Sequence, residues 1–235
     1  MVLMKIKRII KSVASVAMIA LMQIGCSDSG VSAVAYGEIV DSRDGSVYRT
    51  VQIGEQVWMA ENLNLACGEW MRDGVCETPS NKYGKLYSWS IAIDSAGIYS
   101  DDGKGCGCDS KCLVSGKVRG ICPEGWHIPS LAEWKTLFAF VSDEITAGKY
   151  LKSVEGWNVH FGGGNDMYGF SAYPAGAYGS HEGSFGLYTN AYFWTSMNTE
   201  KGHPVGLRFN GGKTNIDIVS FEERLNAISV RCIED

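Results

Sequence analysis

Proline and basic residues are scarce in this 235-residue sequence, which has 5 prolines and 21 lysines and arginines against 26 acidic residues. Glycine, by contrast, reaches 29 residues, and aromatic residues make up 11% of the chain. Apolar residues amount to 45%, which is enough for an ordinary buried core. This composition argues against a disordered or collagen-like chain. It predicts short strands, many turns and a core rich in tryptophan and tyrosine.

The amino terminus has the pattern of a secretory signal peptide over residues 1–25. Four basic residues precede an uncharged apolar stretch from Val13 to Ile24. This stretch is shorter than the roughly 20 residues that span a bilayer, so it indicates export rather than a membrane helix. Cys26 follows Gly25 and resembles the lipid-attachment cysteine of bacterial lipoproteins. We therefore expect a lipid-anchored protein at the outer membrane or cell surface, with plain secretion as the alternative.

Removal of the signal peptide makes the remaining chain more acidic. Its four basic residues leave with it, so 17 basic and 26 acidic residues remain, a net charge of −9. A nucleic-acid partner is disfavoured because no basic stripe is left to neutralise phosphates. Charge alone also gives no attraction to an anionic membrane surface. The membrane is therefore expected as a partner only through the lipid anchor.

Turn residues divide the rest of the chain. Residues 26–37 are small and polar and predict a tether, and residues 38–235 contain no internal repeat and predict one domain. The turns Asp41–Gly45 and Gly54–Glu55 predict hairpins. The segments with strand patterns are Val47–Ile53, Gln56–Met59, Tyr192–Ser196, Val205–Phe209, Thr214–Ile218 and Ala227–Ile233.

Two helices are predicted. Leu86–Asp94 places apolar residues on one face at helical spacing. The second helix follows Ser130, which forms with Glu133 the sequence pattern of a capping box. Its apolar stripe, which includes Trp134 and Phe138, is typical of a helix that packs on a core.

The cysteines indicate disulfide bonds. Seven remain after Cys26, and this odd number leaves at least one thiol unpaired. No Cys-x2-Cys pair is present, so disulfides are favoured over zinc in an exported protein, and no metal site is predicted. Cys67 with Cys76 is the expected pair, and Cys122 could pair with Cys232. Which of Cys106, Cys108 and Cys112 is unpaired stays open, and the candidate bonded set is Cys67, Cys76, Cys106, Cys112, Cys122 and Cys232.

Six ordered blocks of sequence resemble the Fibrobacter succinogenes major paralogous domain, over roughly residues 39–235. They are Ile53–Asn64, Tyr83–Trp89, Cys122–Ser130 with Glu133 and Trp134, Gly169–Gly176, Phe193–Ser196 and Ser229–Ile233. That family is known mainly from exported or lipid-anchored proteins of undefined role, and it is remotely similar to C-type-lectin-like and formylglycine-generating-enzyme-like folds. The resemblance implies a single α+β domain, in which two main helices pack on twisted antiparallel sheets beside a long looped region. It also implies the Cys122–Cys232 bond.

The looped region, Gly162–Asn190, is the expected ligand surface because function often lies in loops on a rigid frame. Trp157, Tyr168, Tyr178 and Tyr188 are the candidate ligand-binding residues, since their rings can stack on sugars or on protein. A place in the core is the alternative for each of them. We expect a non-enzymatic surface module for binding or adhesion to a glycan or protein. The other hypothesis is a structural or assembly component of the cell envelope without a soluble ligand.

No catalytic residue or cofactor is predicted. The Glu-Pro-Asn and Gln-Pro-Asp triplets of calcium-dependent sugar sites are absent. Formylglycine-generating chemistry needs a pair of cysteines late in the chain, and only Cys232 follows Cys122. His127 has no serine or cysteine nucleophile in a recognisable arrangement, so we expect it to be a hydrogen-bonded framework residue.

Overall fold

A computed structural model describes residues 34–69, 74–106, 114, 116–221 and 226–235. The predicted signal peptide over residues 1–25, the proposed lipid site Cys26 and most of the predicted tether lie outside these residues. Cys108 and Cys112 also lie outside them. From Val34 onward the chain forms one compact unit. No helix in this described part is long and apolar enough to cross a membrane.

The described residues contain thirteen strands and three helices. In chain order they are β1 (Tyr36–Val40), β2 (Val47–Ile53), β3 (Gln56–Met59), β4 (Cys76–Glu77), β5 (Leu86–Ser88), α1 (Trp89–Ala92), β6 (Trp126–His127), α2 (Leu131–Val141), α3 (Ala147–Leu151), β7 (Ala177–Gly179), β8 (Gly183–Phe185), β9 (Asn190–Asn198), β10 (Pro204–Asn210), β11 (Ile216–Ser220), β12 (Ala227–Ser229) and β13 (Ile233–Glu234).

The strands form two sheets. The first has the order β1-β2-β3-β13-β6, and the second has the order β11-β10-β9-β12-β5-β4, with the β7–β8 hairpin attached through β12. The predicted hairpins are present: β1 and β2 flank the turn at Asp41–Gly45, and β2 and β3 are joined by Gly54 and Glu55. Gly54 has a φ of +64°, which glycine adopts readily and which suits a tight two-residue turn.

The predicted fold class is wrong. The domain is mostly β, and α1 and α3 contain only 4 and 5 residues, so it is not an α+β, C-type-lectin-like domain with two main helices on sheets. The segment Leu86–Asp94 has helical periodicity, yet its first three residues are fully buried and pair as β5 with β12 and β4. Burial on both faces favours a strand there, and only Trp89–Ala92 is left as helix.

The prediction for α2 is confirmed. Ser130 Oγ accepts a hydrogen bond from the Glu133 amide at 3.2 Å, and the Glu133 carboxylate accepts one from the Ser130 amide at 2.7 Å. This capping box satisfies amides at the helix start that have no partner within the helix. The helix then buries Trp134, Leu137, Phe138 and Val141.

Aromatic rings fill the interior. The ring of Trp134 lies 4.8 Å from that of Trp58, centroid to centroid, and four phenylalanine rings lie within 6.4 Å of it. A large aromatic side chain buries about 150 to 250 Å² of surface, so these rings contribute much of the apolar area of the core. The tryptophan-rich core that the composition predicts is present, since five tryptophans are buried: Trp58, Trp89, Trp126, Trp134 and Trp194.

The last predicted strand, Ala227–Ile233, is two strands in different sheets. β12 belongs to the second sheet and β13 to the first, so the chain crosses between the sheets at residues 230–232. Arg231 lies in this crossing and is completely buried. Its Nη atoms donate to the carbonyl oxygens of Met59 at 3.1 Å, Phe170 and Ser171 at 3.0 Å, and Nε and Nη2 donate to Asn62 Oδ1.

Disulfide bonds link segments of the described chain. The expected bonds Cys67–Cys76 and Cys122–Cys232 are both present, and Cys106 is also disulfide-bonded. The two bonded pairs are separated by 9 and 110 residues, respectively. The Cys122–Cys232 bond joins the segment before β6 to the crossing between the sheets. Because it closes the longer loop, it restricts the unfolded chain more than the Cys67–Cys76 bond does.

Replacing both Cys122 and Cys232 with serine should therefore lower the free energy of unfolding by about 4 kcal/mol, whereas the same change at Cys67 and Cys76 should cost about 3 kcal/mol or less. Urea unfolding followed by tryptophan fluorescence measures both losses. Equal losses for the two double variants would contradict the dependence on loop length.

Replacing Arg231 with lysine should destabilise the domain by about 3 to 5 kcal/mol, because a single ammonium cannot reach the four acceptors that the guanidinium holds. Arg208→Lys is the matched control. Arg208 bonds Asp217 at 2.7 Å on the surface, so its replacement should cost less than about 1 kcal/mol. Similar unfolding midpoints for the two variants in urea would argue against the special role of Arg231.

Candidate functional site

An open cleft of about 450 Å³ lies beside the start of β2. Its walls come from three further segments that are distant in sequence: residues 61–64, the turn at residues 81–84, and Tyr173. The side chains that give the cleft its chemistry are Tyr48, Glu61, Asn64, Asn81, Tyr83 and Tyr173. Tyrosine hydroxyls and amides are therefore its main polar groups.

The floor of the cleft is held by Asn62. Its Nδ2 donates to the carbonyl of Tyr83 at 2.9 Å and to Ser229 Oγ at 3.2 Å, while its Oδ1 accepts from Arg231. Gly84 lies so close to this segment that a Cβ there would be 2.8 Å from the carbonyl oxygen of Leu63. The cleft is thus fixed to the buried guanidinium by direct hydrogen bonds.

Three tyrosine rings form a row that begins at the cleft: Tyr83 and Tyr173 line the cleft, although Tyr83 is only 4% exposed, and Tyr188 packs on Tyr83 outside the lining. The rings of Tyr83 and Tyr173 stack with centroids 5.5 Å apart, and the ring of Tyr188 meets that of Tyr83 edge to face at 6.3 Å. Tyr188 has a φ of +64°, a left-handed conformation that is costly for an aromatic residue. Hydrogen bonds from its amide to the Pro174 carbonyl and from the Asn158 amide to its carbonyl hold it there.

The charged side chains at the cleft are paired with neighbours. Glu61 Oε1 lies 3.2 Å from Arg49 Nε, and Lys82 Nζ lies 3.6 Å from a carboxylate oxygen of Glu155. Burial raises the pKa of Tyr83 more than the charge of Lys82 lowers it, so the phenol is neutral and able to donate a hydrogen bond at pH 7. The cleft therefore offers aromatic surface and neutral hydrogen-bonding groups rather than an unpaired charge.

The four predicted ligand-binding residues do not share one site. Tyr188 alone joins the row at the cleft, and 48% of it is exposed. Trp157 is only 8% exposed, with its indole N–H on Ser153 Oγ at 3.1 Å and Lys152 Nζ 5.0 Å from the ring centroid. Tyr168 packs edge to face on Phe140, and Tyr178 is half-buried on β7.

Tyr83 and Tyr173 were not among the predicted ligand-binding residues. Each lies in a block that carries the family resemblance, and aromatic residues in such blocks are more often core than ligand-binding. Tyr83 is only 4% exposed and belongs to a small buried cluster on which Tyr173 packs, so the expectation of a core position holds for Tyr83. Contact between them depends on the tertiary fold.

His127 has the framework role that was expected. It is buried, with Nδ1 2.8 Å from Asp235 Oδ1 and Nε2 2.8 Å from Glu133 Oε1. Both ring nitrogens are therefore engaged in holding the start of α2 and the end of the chain. Among the residues that the structure describes, no group of three or more histidine, cysteine or acidic side chains could hold a metal ion.

The sequence matches the Fibrobacter succinogenes major domain family over residues 51–234, which is most of the chain. The protein belongs to this family, and the resemblance seen in the six sequence blocks is confirmed. No curated protein and no solved structure matches the chain. The match itself identifies a family and no activity, so the function has to be argued from the cleft and the surface.

The hydrogen bonds to the Glu133 carboxylate predict a dependence of stability on pH. Burial raises the pKa of Glu133, but hydrogen bonds from His127 and Ser130 outweigh it and lower the pKa from 4.5 to about 2. The stabilisation is therefore complete above pH 4.5 and is lost as the pH falls towards 2.

Glu133→Gln should lower the free energy of unfolding by about 1 to 3 kcal/mol at pH 6, and the difference from the native protein should shrink as the pH falls towards 2. Urea unfolding at several pH values measures it. Glu144→Gln is the control, because Glu144 is an exposed carboxylate 3.5 Å from Lys135 and its replacement should have little effect. A loss at Glu133 that does not change with pH would contradict the role of its charge.

Proposed function

We propose that this protein is a non-enzymatic, lipid-anchored surface module that binds a glycan at the tyrosine cleft. The observation that carries the proposal is the conformation of Tyr188. A left-handed aromatic residue costs on the order of 1 to 3 kcal/mol, and strained residues cluster at active sites, ligand clamps and switch regions. Here it holds a half-exposed ring beside Tyr83.

The chemistry of the cleft favours a neutral sugar. A tyrosine ring offers an apolar face to the C–H groups of a sugar ring, and its hydroxyl remains free to form hydrogen bonds. The exposed amides of Asn64 and Asn81 can both donate to and accept from sugar hydroxyls. Because Glu61 and Lys82 are paired with other side chains, the cleft has no unpaired charge to select a charged ligand.

The lipid anchor is the second part of the proposal. It is supported by the basic and apolar pattern of residues 1–25 and by Cys26 directly after them. Attachment of a diacylglyceryl group to the Cys26 thiol would place the domain on a membrane surface of the cell envelope. A binding module at that place could hold the cell to a glycan or hold a glycan to the cell.

The glycan proposal can be tested with the detergent-solubilised mature protein. We expect retention on at least one polysaccharide from a set that includes cellulose and xylan, and retention should persist with a metal chelator. Tyr188→Ala should weaken binding by about five- to tenfold, which corresponds to about 1.0 to 1.4 kcal/mol. Phe140→Ala is the matched control, because Phe140 is an equally exposed aromatic residue on α2 whose ring contacts Tyr168 and not the tyrosine row.

Three results would overturn this proposal. Retention that disappears with chelator would indicate a metal-dependent site elsewhere. The absence of retention on every glycan would favour the alternative role as a structural component of the envelope. Equal losses for Tyr188→Ala and Phe140→Ala would show that binding does not take place at the tyrosine row.

A further inference from the structure

Exposed apolar side chains gather around residues 167–169. Met167 is 51% exposed, Phe140 is 54% exposed, and Tyr36 is 41% exposed. The ring of Phe140 meets that of Tyr168 edge to face at 5.9 Å, and a Cβ on Gly169 would lie 2.6 Å from the hydroxyl of Tyr36. The four side chains of Tyr36, Phe140, Met167 and Tyr168 make up this apolar patch.

The chain enters the domain at this patch. Val34, the first described residue, packs on the core beside Tyr168, and a Cβ on Gly169 would lie 2.6 Å from Val34 Cγ1. Cys26 precedes Val34 by eight residues, which span at most about 28 Å when fully extended. A lipid on Cys26 therefore keeps the patch close to the bilayer, whatever conformation the intervening residues adopt.

The composition of the patch suits a membrane interface. Two tyrosines and a phenylalanine place aromatic rings at one surface, and such rings favour the boundary between lipid headgroups and acyl chains. The exposed Lys149 lies next to Tyr150, with Nζ 5.6 Å from the ring centroid, and Tyr150 meets Tyr168 edge to face. A lysine beside an apolar surface can keep its charge among the headgroups.

Contact between the patch and a membrane would depend on the lipid anchor and not on electrostatic attraction. The chain after the signal peptide has a net charge of −9, so an anionic surface does not attract it as a whole. A lipid anchor removes this difficulty, because it turns contact between the patch and the bilayer into an intramolecular event at high effective concentration. A few side chains are then enough to orient the domain.

We propose that the apolar patch rests on the membrane surface when Cys26 is lipidated, so that the domain is held in one orientation rather than turning freely on its tether. This inference rests on the lipid anchor of the proposed function. It does not depend on what binds in the tyrosine cleft.

Photolabelling of the acylated mature protein tests the orientation. The protein is reconstituted in vesicles of phosphatidylethanolamine and phosphatidylglycerol that contain a phospholipid with a photoreactive acyl chain, and labelled peptides are identified by mass spectrometry. Peptides with Phe140 and with Met167 and Tyr168 should carry at least about fivefold more label than the peptide with Ile98. Ile98 is 50% exposed, so it matches the patch in exposure.

Ile98 also lies away from the patch. Its neighbour Tyr99 stacks with Arg43, which belongs to the turn at the far end of β1 from Tyr36. Serine replacements at both Phe140 and Met167 should remove most of the label from the patch, whereas Ile98→Ser should leave it unchanged. Circular dichroism checks that each variant is folded, which we expect because all three side chains are about half exposed.

The failures can be told apart. Absence of an acyl group in the mass of the intact protein would overturn both the anchor and this inference. An acylated protein that labels Ile98 and the patch equally would overturn this inference alone. Cross-links between patches of two copies, or protection of the patch by residues 27–33 of the same chain, would also overturn it and would identify the actual occupant.

Discussion

The guanidinium of Arg231 fixes the relative positions of segments that are far apart in the sequence. Burial lowers its pKa from 12.5 to about 9, so the fully buried group is still charged at neutral pH. A buried charge is tolerated only where its donors are satisfied, and here carbonyl groups and one amide oxygen from residues 59–62 and 170–171 surround it. The rings of Phe170 and Phe193 cover its faces, with centroids 4.5 and 5.3 Å from Cζ. Because all these acceptors must point to one cation, the two sheets, the Asn62 segment and the Ser171 segment take one arrangement.

Sequence patterns predicted the parts of the fold that depend on near neighbours. The capping box at Ser130 and the two-residue turn at Gly54 each involve contacts within a few residues, and both are present. The patterns failed where distant pairing decides the structure. Leu86–Ser88 is a strand because β12 and β4 lie on both sides of it. The segment from Ala227 to Ile233 has one continuous strand pattern but divides between two sheets, because the burial of Arg231 interrupts it.

The cleft was harder to predict than the fold. Tyr188 comes from the looped region, but the ring that it meets belongs to Tyr83, which lies about a hundred positions earlier in the chain. Whether an aromatic side chain becomes core or surface depends on what packs over it. Trp157 is covered by Lys152, whose ammonium donates to the carbonyls of Asn210, Gly211 and Lys213. No local pattern around Trp157 encodes that coverage.

The strained backbone of Tyr188 is connected to the buried Arg231 through the segment that holds it. A residue stays in a costly backbone conformation only if the surrounding frame holds it there, and the frame here is Pro174 on one side and Asn158 on the other. Pro174 lies three residues after Ser171, and the carbonyl oxygen of Ser171 accepts a hydrogen bond from Arg231. The guanidinium thus positions both the floor of the cleft, through Asn62, and the segment that holds its tyrosine row. The apolar patch is joined to the cleft as well, because the ring of Tyr36 lies under Arg49 at 4.9 Å and Arg49 bonds Glu61 in the cleft wall. An orientation imposed at the patch would therefore also set the direction in which the cleft faces.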